Sequence, residues 1–254
     1  MGKKTSPTPS KSQQKKKIDR PSELEPGHLF NWYPEAIIPN QRMHTMGAYR
    51  EGYPEGAIIH YTAGRSKKGV PDAIECINEG IRNNYAYLAI ASTGDVVQAH
   101  PINEWGYHAG SSFWPGLGKS LSSKLIGIEV CNAGILTPKE DGFYYSWYGE
   151  KFTENEVRFV GPEHGCAEGY YHKFTLDQER TLWSLLCFLK ENDPKGRFRF
   201  ENVLGHHEVC RSASGTYRKL DPGGSFSISM DLLRGALKFH REVDFYDGFL
   251  GLQV

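Results

Sequence analysis

The chain has no excess charge of either sign: lysine plus arginine and aspartate plus glutamate each number 30 among its 254 residues. Without a net charge there is no global field to recruit nucleic acid, so no specific nucleic-acid partner is expected. No apolar run approaches the ~20 residues that span a bilayer, which excludes an ordinary transmembrane helix. The first residues also lack the apolar centre of a secretory signal, and a cytoplasmic location is expected from that. The five cysteines, Cys76, Cys131, Cys166, Cys187 and Cys210, form no CxxC and are odd in number. Reduced thiols suit that pattern better than a disulfide framework.

A chain of this length can bury one large core and does not demand two domains. The first boundary is compositional. Lys3, Lys4, Lys11, Lys15, Lys16 and Lys17 stand among Ser, Thr, Pro and Gln, with no acid before Asp19. Residues 1–20 therefore read as a disordered basic tail that could touch anionic polymers, and residues 21–254 as one folded domain.

Short apolar runs alternate with helical patterns from about Pro34 onward, which argues an α/β domain. Ala57 to His60 is a buried strand closing on a histidine, and Leu125 to Val130 is an inner strand. Ala73, Ile74, Ile77 and Ile81 lie at helical spacing between Pro71 and Asn84. Tyr87 to Ile90 and Val96 to Ala99 flank Ser92-Thr93-Gly94-Asp95 as a hairpin. Thr175 with Gln178 forms a capping box ahead of Leu182, Leu185, Leu186 and Leu189, and a last helix runs from Met230 to His240 behind Ser229. Residues 137–174 read as a long insertion crowded with Phe143, Tyr144, Tyr145, Trp147, Tyr148, Phe152, Tyr170 and Tyr171. Such a segment is either a sugar-binding wall or a satellite core under a long connection.

Near the C-terminus stand Gly205-His206-His207-Glu208-Val209 and then Lys219-Leu220-Asp221-Pro222-Gly223. Imidazole and carboxylate at such positions look like half of a zinc site, and His60, fixed at a strand end, is the best remaining ligand. Read as a strand, His206 and His207 point to opposite faces, so only one of the two would face inward. Cys210 is a rival third ligand.

Taken with Trp105-Gly106-Tyr107-His108-Ala109-Gly110 and Ile126-Gly127-Ile128-Glu129, these segments resemble the zinc-dependent N-acetylmuramoyl-L-alanine amidases, with four motifs in the family's order from about Ile58 to the helix after Phe226. The resemblance implies a central mixed β-sheet flanked by helices on both faces, with one zinc at the strand ends. It also implies cleavage of the amide between N-acetylmuramic acid and L-alanine in peptidoglycan. It assigns His60, His206 and Asp221 as metal ligands, Glu129 as acid/base and Lys219 as the cation that stabilises the transition state. His108, Trp105 and Tyr87 are expected to contact substrate. Other members place Cys where Asp221 stands, and the loop between His206 and Lys219 is longer here than is usual. Three alternatives stay open: a module that binds peptidoglycan without cutting it, a zinc hydrolase of another amide, and an interaction protein that works through its basic tail. The absence of an export signal fits an endolysin released to the wall, a cytosolic muropeptide-recycling enzyme or a delivered toxin, with the endolysin favoured by the basic tail and aromatic insertion.

Overall fold

The computed structural model describes residues 30–239 apart from residues 42, 43, 86, 87, 194 and 213. The expected basic tail, Tyr87 and His240 lie outside the described residues. Strand β1 (Ala57–Tyr61) is followed by helix α1 (Val70–Asn83), then by β2 (Leu88–Ile90) and β3 (Val96–Gln98). A small ribbon, β4 (Phe113–Trp114) with β5 (Gly118–Lys119), precedes β6 (Ile126–Val130). Next come β7 (Ile135–Pro138), β8 (Tyr144–Tyr145), β9 (Lys151–Phe152), β10 (Val157–Val160) and β11 (Gly169–His172). Helix α2 (Leu176–Glu191), β12 (Val203–Gly205), the short turn α3 (His206–Val209) and α4 (Met230–Phe239) complete the chain.

The central sheet has the order β12-β1-β6-β2-β3. Its first four strands run parallel and β3 returns antiparallel to β2, so the sheet is mixed, as the sequence led one to expect. Strands buried on both faces are apolar along their whole length, and β1 follows that rule through Ala57, Ile58 and Ile59 before it reaches His60. Alternate residues serve different layers. Ile59, Ile126, Ile128 and Val130 join the main core with Leu182, Leu185, Leu186 and Leu189 of α2, while Ile58 packs with Leu121, Leu125, Leu204 and Val209. The Thr175 hydroxyl accepts from Gln178 N at 3.1 Å and the Gln178 side chain returns to Thr175 N, the expected reciprocal cap. Gln178 Nε2 also donates to Cys131 O at 2.8 Å, tying the start of α2 to the residue after β6.

The aromatic insertion is not a long connection. It is a second, antiparallel five-stranded sheet of order β10-β11-β7-β8-β9. Its strands are too short for periodicity to reveal them, and their residues meet partners remote in sequence, as where Tyr170 pairs with Leu136. Phe152, Leu136, Ala133 and Val157 form a satellite core with Tyr144, Tyr148 and Tyr170 packed against it. Asn132 couples the two sheets: its Nδ2 donates to the carbonyls of His172 and Lys173 at 3.1 Å, and its Oδ1 accepts from Gly134 N at 2.8 Å. Among the described residues no helix is long and apolar enough to cross a membrane.

Candidate active site

Three adjacent parallel strands end on the same side of the central sheet, and each delivers a side chain there. His60 stands opposite Glu129 in the register of β1 and β6, so both point to one face at neighbouring strand ends. His206 follows β12 directly. The crevice beyond the carboxyl ends of parallel strands is where α/β sheets gather ligands, because several chain segments turn away together there. A cleft of about 680 Å³ occupies that place, lined among others by His60, His108, Glu129, His206, Lys219 and Asp221.

The expectation that His206 and His207 alternate faces is corrected by the structure. The strand stops at Gly205 and the two histidines open a helical turn, in which neighbours lie about 100° apart rather than on opposite faces. Both are buried. The backbone N–H of His207 donates to Asp221 O at 2.8 Å, and its Nδ1 donates to the same oxygen at 3.0 Å, so His207 holds the segment that carries Asp221. A Cβ on Gly205 would sit 2.5 Å from the His207 ring, which explains the glycine. Glu208 secures the turn, accepting from Gly205 N at 2.7 Å and from both guanidinium nitrogens of Arg234 at 2.9 Å. Such a bidentate, mostly buried pair fixes direction as well as distance. This bracing by His207, Glu208 and Arg234 was missed in the sequence; the doubled histidine was its one signal.

His60, His206 and Asp221 form a buried group whose ligand atoms all lie within 4.8 Å of one another, and among the described residues it is the one such group able to hold a metal ion. Asp221 Oδ2 lies 3.0 Å from His60 Nδ1 and 2.8 Å from His206 Nδ1, and the two Nδ1 atoms are 3.1 Å apart. Cys210, the rival ligand, lies beside His206, but its thiol donates to Ala109 O at 3.2 Å and it is not part of the group.

The hydrogen bonds behind His60 determine which of its nitrogens is free. Leu125 O can only accept, so His108 Nε2, 2.9 Å away, carries the proton. Burial, then the charge of His60, holds His108 well below the usual histidine range, so its ring is neutral and its Nδ1 is a bare acceptor. His60 Nε2, at 3.1 Å, then donates to it. Burial and the charge of His206 push His60 down to about 4, which leaves a lone pair on its Nδ1. That lone pair faces the Asp221 carboxylate, an arrangement that asks for a cation between them. Burial lowers His206, but the bond to Asp221 and the neighbouring Cys210 outweigh burial and raise it to about 10. A divalent ion fits the same three donors, two imidazole nitrogens and one carboxylate oxygen.

Glu129 is the carboxylate beside this group. Burial first, then the charge of Asp221, raises it to about 8, with His206 and Lys219 opposing. A carboxyl poised near neutrality is suited to take and give protons. Lys219 is exposed on the cleft wall. His108 lines the cleft, but both of its ring nitrogens have protein partners, and it packs so closely on β6 that a Cβ on Gly127 would stand 2.6 Å from its ring. Trp105 lies behind Tyr107, ring centroids 5.5 Å apart at 83°, and Tyr107 is the one that lines the cleft. Tyr87 lies outside the described residues.

A buried histidine–histidine–aspartate group able to hold a metal ion, with a buried carboxyl of raised pKa at its side, lies at the ends of the parallel strands. The chain belongs to the N-acetylmuramoyl-L-alanine amidase family, whose model matches residues 50–224 and so spans every residue of that centre. Among solved structures it is similar to a selenomethionine derivative of AmpD, at 18% identity and a TM-score of 0.51, over 85% of this chain and 99% of that one. AmiD from E. coli, solved in complex with anhydro-N-acetylmuramic acid-L-Ala-D-gamma-Glu-L-Lys, aligns at 20% identity and a TM-score of 0.48, over 76% of this chain and 61% of that one. No curated protein sequence matches the chain.

Proposed function

We propose that this peptidoglycan amidase hydrolyses the bond between N-acetylmuramic acid and L-alanine, and that His60, His206 and Asp221 hold a zinc ion for the purpose. The carrying observation is the convergence of those three buried donors within 4.8 Å in the cleft that also contains Glu129 and Lys219. Zinc bound there supplies Lewis acidity, polarising the amide carbonyl and making water acidic enough to attack at neutral pH.

Glu129, in its ionised form, accepts the attacking water's proton and passes it to the departing nitrogen. Lys219 sets a positive charge toward the oxygen on which negative charge develops, an interaction made mainly in the transition state. His108 keeps His60 in the tautomer whose Nδ1 lone pair faces the centre, and is assigned here a positioning role in place of the expected substrate contact. His207 and Arg234 keep the other two ligand segments in place.

Digestion of purified sacculi and of soluble muropeptides, followed by mass analysis, tests the reading. Stem peptides with a free L-alanine amine, released beside intact glycan, are the expected products. Cleavage within the stem peptide or between sugars would overturn the assignment of the bond, and binding without any cleavage would favour a holding module. We place the enzyme's action at the cell wall, as an endolysin, because the aromatic sheet beside the cleft suits a polymer. A clear preference for soluble anhydromuropeptides over sacculi would move it to recycling instead.

A further inference from the structure

Trp147 is the most exposed residue of the second sheet's aromatic set, at 79%, and yet its indole is held. Its Nε1 donates to Ala63 O at 2.7 Å, and Ala63 lines the cleft three residues after His60. The next residue repeats the contact: Tyr148 OH donates to Gly64 O at 2.7 Å and lies 2.9 Å from Glu150 Oε2. The Trp147 and Tyr148 rings meet edge to face, centroids 5.5 Å apart at 86°. Ala63 itself stands at φ 48, a left-handed conformation that costs a non-glycine residue energy, and the two aromatic donors cap its own carbonyl and that of Gly64. Lys67 closes the contact, donating to Lys151 O at 2.9 Å with its ammonium 4.3 Å from the Phe152 ring centroid.

A single exposed apolar side chain is ordinary. An exposed indole whose only polar atom is already bonded to the rim of a cleft is different, because it cannot turn away to bury its face and has no hydrogen bond left to give. What it presents is a flat apolar surface fixed in direction. Tyr85 and Tyr107, 42% and 52% exposed, line the cleft it adjoins. Pyranose rings show apolar C–H faces bordered by hydroxyls, and they stack on aromatic planes while their polar edges stay in water. Pre-fixing the plane reduces the ordering cost of that contact.

Resting on the amidase reading above, we infer that Trp147 is a subsite for the glycan strand of peptidoglycan, holding an amino-sugar ring away from the scissile amide. The second sheet thereby makes the enzyme one for polymeric wall rather than for single muropeptides. Because stacking reads a ring face and not a sequence of groups, the subsite serves every repeat of the strand alike.

The test uses the full chain with zinc supplied. Trp147→Ala should lower kcat/KM on intact sacculi about tenfold, the scale of one lost aromatic contact, while leaving cleavage of a soluble N-acetylmuramoyl tripeptide unchanged. Calorimetric titration with peptide-free glycan strands should show the same weakening. Trp147→Phe, which keeps a ring and loses the bond to Ala63 O, should bind glycan more weakly than the wild type and more tightly than Trp147→Ala. Equal losses on sacculi and on the soluble substrate would make Trp147 a brace for the Ala63 turn and overturn the inference. So would no loss on sacculi, or weakened binding of free stem peptide in place of glycan. A wild-type protein that cleaves nothing but binds glycan through Trp147 would sink the amidase reading and leave this one standing.

Discussion

The two sheets solve different problems with different residues. In the central sheet β1 and β6 are buried almost throughout, run parallel, and carry Ile58, Ile59, Ile126 and Ile128 into cores on either side. The second sheet is antiparallel, its strands β8 and β9 are two residues long, and Tyr144 and Tyr145 are only half-buried. Cations lie over its rings: Lys139 is 4.0 Å from the Tyr145 centroid and Lys151 is 3.3 Å from that of Phe143. A strand packed on both faces cannot slide or tilt without opening voids, so it can aim His60 and Glu129 within tenths of an ångström. The second sheet leaves half-exposed ring faces open to a partner. On the readings proposed above, the first sheet would carry the chemistry and the second the grip.

The sharpest way to break this comparison is to remove a ligand. His206→Ala or His60→Ala should abolish both bound zinc and turnover while the circular dichroism stays native, since either loss breaks a three-ligand site. Stoichiometric zinc measured by mass spectrometry after dialysis of both variants would refute the site. Glu129→Gln comes next: zinc and substrate binding should persist and kcat should fall by about 10² to 10⁴, because an amide cannot accept the proton. Turnover near wild type would place the base elsewhere.

A smaller effect is expected one shell out. His108→Phe keeps a ring against Gly127 but removes the acceptor for His60 Nε2. Zinc affinity, read by competition with a chelator, should fall about 10- to 100-fold, and an unchanged affinity would show that the tautomer is set by another group. The smallest effect concerns the second sheet. Burial pushes His172 down to about 4, with Glu156 opposing and Lys67 adding to it. Its Nδ1 accepts from Ala133 N at 3.2 Å, as a neutral ring must. As pH falls below the ordinary histidine value of 6.5 the unfolded chain takes up a proton that the native ring refuses, so stability declines from there to about 4. Hydrogen exchange across that window should open the amides of β10 and β11 less in His172→Gln than in the wild type, and equal opening in the two would show that another group sets the loss.

Much of the central sheet was legible in the chain because its signals are local. An apolar run ending on a histidine, a capping box of Thr175 and Gln178, and a Leu series at helical spacing each depend on residues a turn or less apart. The second sheet was not legible: Tyr170 meets Leu136 and Phe152 meets Tyr144, and no period in the sequence records such meetings. His207 was misread for a related reason, since its direction depends on where β12 stops, and that is decided by the packing of Gly205 against the His207 ring and Pro222.

By itself the sequence determined the kinds of group available, two imidazoles, two carboxylates and a lysine in motifs of recognisable order, because chemistry is carried by residue identity. The tertiary structure alone decided that three of them meet within 4.8 Å, that His108 selects the free nitrogen of His60, and that Trp147 is pinned bare at the cleft. Those outcomes depend on contacts between segments far apart in the chain, as between His60 and His206 or Ala63 and Trp147, and the energy that selects such contacts exists only once the sheets have packed.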